Sequence, residues 1–195
     1  MTTRDRIFQA ARAAFERDGL GGLSMRTVAR DAGLSTMAIY RHFPTKDSLL
    51  DALMLDGFDA WEARVAAVDE ADPVAWLEQV LAAFLDFAVE DPHRFDAAFL
   101  LRASGAKRFP EDFSGGSSRV ISRMTARIDD ARAQGRLRDA QSLDIALTLS
   151  ALAQGLVSMD RAGRFSSPDQ FREIYRMAIA NGLRAFAPDH RGVAP

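Results

Sequence analysis

Ser35, Thr36 and Met37 set two hydroxyls and a thioether side by side where a helix can begin. Short side chains at a helix start, next to backbone N–H groups that lack partners, suit contact with a polyanion. Thr36 and Met37 are the candidates for reading base edges, with Met37 able to lie against a thymine methyl. Arg41, one turn further on, can reach a phosphate or a base edge. Arg26 and Thr27 fall in the first turn of the segment before, with the same two options. Phosphate contacts would supply affinity, and base contacts would supply sequence choice.

These residues need two short helices at a fixed angle, and the stretch from Ser24 to Phe43 provides for them. Ser24 and Ser35 are N-cap residues, and the helices they start run to about Asp31 and Phe43. Ala29 is small enough to let the two helices approach. Gly33 accepts the positive φ of a tight turn, and Val28, Leu34 and Ile39 pin the pair onto a third helix. That third helix precedes them, capped by Thr2 or Thr3, with Ile7, Ala11, Ala14 and Phe15 on one stripe and Gly19 as its stop. Arg4, Arg6, Arg12 and Arg17 read as its solvated faces, with Arg4 and Arg6 near enough to the chain's start to reach a nucleic-acid backbone. The pattern is a helix-turn-helix.

The rest of the chain reads as helix throughout, so the fold class is all-α. A long helix begins near Lys46 after the Pro44-Thr45 break. Asp72-Pro73, Asp91-Pro92 and Ser167-Pro168 each combine a cap with proline at the first helical position. Further helices cover about 117–134 and 142–162, with Gly135 as a stop between them. Residues 102–116, rich in glycine with two phenylalanines and two basic residues, read as a loop. The tail after Pro188 is expected to fray.

The 195 residues contain no cysteine, which excludes disulfides and thiolate metal sites. His42, His93 and His190 are far apart, and His93 with Asp96 lacks a third ligand. The glycine-rich pieces at 19–22 and 115–116 lack the Lys-Ser/Thr that follows in a phosphate-cradling loop. No enzyme activity, metal or cofactor is implied. The uncharged run Ile145–Met159 is too short and too polar to span a bilayer, and no secretion signal opens the chain, so a cytoplasmic location is expected. Residues 1–50 carry eight Lys/Arg against five Asp/Glu, while residues 51–195 carry 17 against 22. A mildly basic head on an acidic remainder suits docking of a polyanion at one end.

Residues 4–53 resemble the DNA-binding domain of the tetracycline-repressor (TetR) family of bacterial transcriptional regulators. The likeness runs through Ala11, Phe15, Gly19, Ser24, Val28, Ala29 and Gly33, then Ser35, Ile39, Tyr40, His42, Phe43, Lys46 and Leu49. It implies that Tyr40, His42 and Lys46 touch phosphates of double-stranded operator DNA. Met37-Ala38 departs from the commoner Gly followed by Thr or Ser, which bears on the operator sequence and leaves DNA binding itself untouched. The resemblance implies a DNA-binding domain at 1–46 and an effector-binding and dimerisation domain at 47–195.

For the second domain the resemblance implies a pocket for a small, largely apolar effector. Trp61, Trp76, Phe84, Phe87, Phe95, Phe99, Met124 and Met159 are its candidate lining, and the 102–116 loop is a candidate gate. The segment 142–162 is apolar on nearly every face and so needs cover all round. Ala146, Ala153 and Gly155 would let a partner approach closely, and the family pairs its last two helices with their copies. The candidate dimer residues are Ala146, Leu149, Ala153, Leu156, Ile174, Ala178 and Leu183. A two-fold dimer would present two heads to a palindromic operator. Repression relieved by the effector is the expected outcome. Two other readings stand beside it: a DNA-binding protein controlled by a protein partner, and a helical lipid-binding or interaction module with a degenerate head.

Overall fold

The computed structural model describes residues 1–102, 105, 113 and 116–188. Every regular element among them is a helix: α1 (Thr3–Gly22), α2 (Met25–Asp31), α3 (Thr36–His42), α4 (Lys46–Ala66), α5 (Pro73–Glu90), α6 (Pro92–Phe99), α7 (Arg119–Ala133), α8 (Ser142–Arg161) and α9 (Pro168–Arg184). Most of the 102–116 loop, and the tail expected to fray, lie outside the described residues.

Local side-chain chemistry sets the helix starts. Thr2 and Asp5 form a reciprocal capping box on α1, and Ser24, Ser35, Ser118 and Ser167 each accept an N–H from the first turn they precede. Thr45 does the same for α4, accepting from the Ser48 N–H at 3.0 Å. Asp72 accepts the N–H groups of Val74 and Ala75 at 3.0 and 2.8 Å, which starts α5. Gly19 breaks α1 with φ 62° and ψ −161°, but helical hydrogen bonding resumes beyond it, so the helix ends at Gly22 rather than at Gly19.

The chain forms two compact units. The first comprises residues 1–61 and 91–106. Its core holds Ile7, Phe15, Val28, Ile39, Phe43, Leu49 and Leu53, with Ala97 of α6 among them. Within this unit α4 and α6 approach to backbone contact. A Cβ built on Gly57 would stand 2.4 Å from the carbonyl oxygen of Arg94. Beside that contact the Arg94 guanidinium donates to both carboxylate oxygens of Asp56, at 2.8 and 3.3 Å. Asp56, foremost, holds the Arg94 pKa above its ordinary value.

The second unit comprises residues 62–90 and those from 107 onward. In it α5 packs against α7, α8 and α9. The buried Tyr175 hydroxyl donates to the Leu81 carbonyl at 2.7 Å, and Arg161 donates to the Ala88 carbonyl at 2.6 Å. Burial raises the Tyr175 pKa. The α8 helix buries one side only: Ile145, Ala146, Leu149, Ala153, Leu156 and Val157. Thr148, Ala151, Gly155 and Met159 on its other side are exposed. At 20 residues and mean hydropathy 1.4, α8 as a whole is long and apolar enough to cross a bilayer, because the helix outruns the uncharged stretch on which the opposite expectation rested. In this fold its apolar side packs against α5, α7 and α9.

Candidate DNA-binding surface

The motif is built on the end of α2. Gly33 takes φ +64°, and two hydrogen bonds close the turn. The Leu34 N–H donates to the Ala29 carbonyl at 2.9 Å, and the Gly33 N–H donates to the Arg30 carbonyl at 3.1 Å. This is a Schellman termination, which needs a left-handed residue where Gly33 stands. Ser35 then opens α3 by accepting the Ala38 N–H at 3.2 Å.

Ile39 and Phe43 point α3 into the core, both at most 1% exposed. That fixes which sides remain open. Ser35, Thr36, Met37, Tyr40, Arg41 and His42 are all exposed, Met37 at 68% and Tyr40 at 47%. Two large apolar or aromatic groups left in solvent, on a helix otherwise fixed by its core contacts, mark a surface with a partner. Lys46 is exposed at the first residue of α4, and Arg26 in the first turn of α2. Thr27 is half-buried, and its hydroxyl is hydrogen-bonded to that of Ser24 at 2.8 Å.

The cations of the motif divide into two groups. Arg12, Arg17 and Arg30 are ion-paired with Glu16, with Asp18 and Asp31, and with Asp31. Arg26, Arg41 and Lys46 have no ion pair among the described residues. Their charge is uncompensated where Thr36, Met37 and Tyr40 are exposed, which is the electrostatic condition for binding phosphates. Sequence reasoning did not separate these groups, because pairing depends on the fold.

The eight candidate pocket residues fall into separate groups. Trp61, Phe95 and Phe99 belong to the first unit, where Phe99 stacks against Phe58, Trp61 and Phe95 with ring centroids 5.4, 6.4 and 4.9 Å apart. Trp76, Phe84, Phe87 and Met124 are buried in the second unit, with Arg127 over the Trp76 ring and Arg64 over that of Phe87. Met159 is 47% exposed. Two clefts in the second unit, of about 460 and 320 Å³, share Asp129 and Arg132, and none of the eight lines either. Of the candidate dimer residues, Ala146, Leu149, Ala153, Leu156 and Leu183 are buried inside the protomer, while Ile174 and Ala178 are half-buried. The faces of α8 and α9 open to another surface carry Ala151, Gly155, Met159 and Met177.

A helix-turn-helix with uncompensated cations around an exposed reading helix, followed by a second all-helical unit, defines a DNA-binding regulator. Residues 7–53 match the model of bacterial regulatory proteins of the tetR family, and residues 77–182 match a tetracycline-repressor-like C-terminal domain. The chain belongs to the tetracycline-repressor family and is a helix-turn-helix transcriptional regulator. It is similar to the nucleoid occlusion factor SlmA of Edwardsiella ictaluri, 27% identical over 80% of this chain and 81% of that one. A protein of unknown function from Rhodococcus sp. RHA1 superposes with a TM-score of 0.75 at 26% identity, covering 96% of each chain. The regulator SmeT in complex with triclosan superposes at 0.63 with 25% identity, over 99% of this chain and 95% of that one.

Proposed function

We propose that the chain is a homodimeric repressor that holds a palindromic operator and is released from it by a small, largely apolar effector. The observation that carries the DNA half is the set of unpaired cations, Arg26, Arg41 and Lys46, together with exposed Thr36, Met37 and Tyr40. Thr36 and Met37 read base edges, and Tyr40, His42 and Lys46 hold phosphates. Residues 1–46 read DNA and residues 47–195 sense and dimerise. The partner copy sits on the open sides of α8 and α9, where Ala151 and Gly155 allow close approach. The likeness to a relative bound to triclosan supports an apolar effector. Because α4 is continuous from the first unit into the second, a change in one can be carried along it to the other by population shift. The place of action is the bacterial cytoplasm.

Gel-shift and footprinting on the DNA flanking its own gene test this reading. A salt-dependent, palindromic footprint supports it, and the absence of sequence-specific binding defeats it. The likeness to a nucleoid occlusion factor favours a second reading, in which a protein partner replaces the small effector. Mass spectrometry of an organic extract of the purified protein separates the two, since only the first expects an apolar molecule there.

A further inference from the structure

We propose that Arg6 is a positioning residue for operator reading, which holds the turn of the helix-turn-helix and leaves the phosphates to other residues. Its guanidinium Nη2 donates to the carbonyl of Ala32 at 2.7 Å, across 26 residues of chain. Ala32 is the C-cap of α2, and the carbonyls of Ala29 and Arg30 are already satisfied by the Schellman turn. Arg6 supplies the donor that the Ala32 carbonyl would otherwise take from water, and it brings a positive charge to a helix C-terminus. Gly33 follows immediately in its left-handed conformation, and Ser35 starts α3 two residues later. The bond therefore ties the first turns of α1 to the backbone that sets the direction of α3.

Two neighbouring contacts make the same connection. The Arg4 guanidinium lies over the Phe43 ring, 4.9 Å from its centroid, at the far end of α3. Arg17 bonds Asp31 at the last residue of α2, at 3.1 Å. The capping box between Thr2 and Asp5 fixes the turn from which Arg4 and Arg6 project. Arg4 and Arg6 are thus bound within the head and are not solvated faces. A cation already bonded to a carbonyl must break that bond to reach a phosphate, whereas Arg26, Arg41 and Lys46 face no such cost.

The test compares wild type, R6A and R6K. In the free protein, R6A is expected to speed amide hydrogen exchange at Gly33 and Leu34, leaving the core amides of α1 unchanged; R6K, which keeps a cationic donor, restores protection. On DNA the probes are a duplex carrying the footprinted stretch and a scrambled duplex of equal length. R6A is expected to weaken binding to the first by about five- to tenfold and to the second by less than twofold. The slope of log affinity against log salt stays as in wild type. Two results overturn the proposal: wild-type exchange at Gly33 and Leu34 in R6A, or equal loss on both duplexes with a slope shallower by about one, the mark of a phosphate contact. If wild type itself shows no footprint, the regulator reading fails, and the exchange measurement still decides the role of Arg6.

Discussion

Gly57→Ala sets two effects of known size against each other. Glycine inside a helix costs about 1 kcal/mol relative to alanine, so at an open site the substitution stabilises. Gly57 is not an open site. The new Cβ would stand 2.4 Å from the Arg94 carbonyl oxygen, 2.9 Å from the Ala98 Cβ and 3.1 Å from the Ala98 nitrogen. Two of these are backbone atoms of α6 and cannot rotate aside. Ordinary contact would require α6 to withdraw by roughly 1 Å, and close-packed interiors resist such a shift. Withdrawal would also stretch the paired bonds from Arg94 to Asp56 and loosen Ala97 in the core of the head. Overpacking of this kind costs about 1–3 kcal/mol, occasionally more. The expected net effect is destabilisation by about 1–2 kcal/mol. Urea unfolding followed by circular dichroism reads it as a lower midpoint at unchanged slope. A higher midpoint would show that α6 yields freely, and the close approach would then not hold the unit together.

Gly155→Ala is the counterpart, since a Cβ there meets nothing within 4 Å in the protomer. If the open side of α8 receives a second copy, the substitution weakens dimerisation in sedimentation equilibrium; a tighter dimer or none at all would refute the interface. Lys46→Ala should weaken binding to all DNA sequences and make the salt slope shallower by about one, whereas Met37→Ala should shift preference at one base position of each half-site. Asp31, held below its ordinary 3.8 by Arg30 and then Arg17, contributes stability that is present above pH 3.8 and lost as pH falls through its lowered value. An NMR titration of its carboxyl that gives 3.8 or more would refute that pairing in solution.

The helix starts were legible because their signals are local. Ser24, Ser35, Asp72-Pro73, Asp91-Pro92 and Ser167-Pro168 act on backbone two or three residues away, and each begins a helix where its type and position predict. The face of α3 was legible too, since Ile39 and Phe43 declare the core side and leave Thr36, Met37 and Tyr40 outside. Gly57 was not legible: in a one-dimensional pattern it is a weak point in a helix, and the carbonyl that requires it lies 37 residues on. Arg6 was read as a solvated face because its partner is a backbone carbonyl, which leaves no trace in residue type. The all-round apolar composition of α8 could not say which side its own protomer would cover, so residues such as Leu149 and Leu183 were assigned to a partner though the protomer buries them.

The division of the head's cations changes what its net charge means. Residues 1–50 hold eight Lys/Arg, but Arg12, Arg17 and Arg30 are in ion pairs, and Arg4 and Arg6 are engaged with Phe43 and Ala32. Arg26, Arg41 and Lys46 remain to release counterions. Each phosphate neutralised contributes about −0.9 to the slope of log affinity against log salt, so two heads should give a slope of roughly −5. Counting every cation would predict a slope near −14. Fluorescence anisotropy across a salt series distinguishes these values. A slope steeper than about −9 would mean that the paired arginines let go of their partners on the DNA. In that case Arg6 itself would be a candidate for release, and the turn it holds would have to be kept by the Schellman bonds alone.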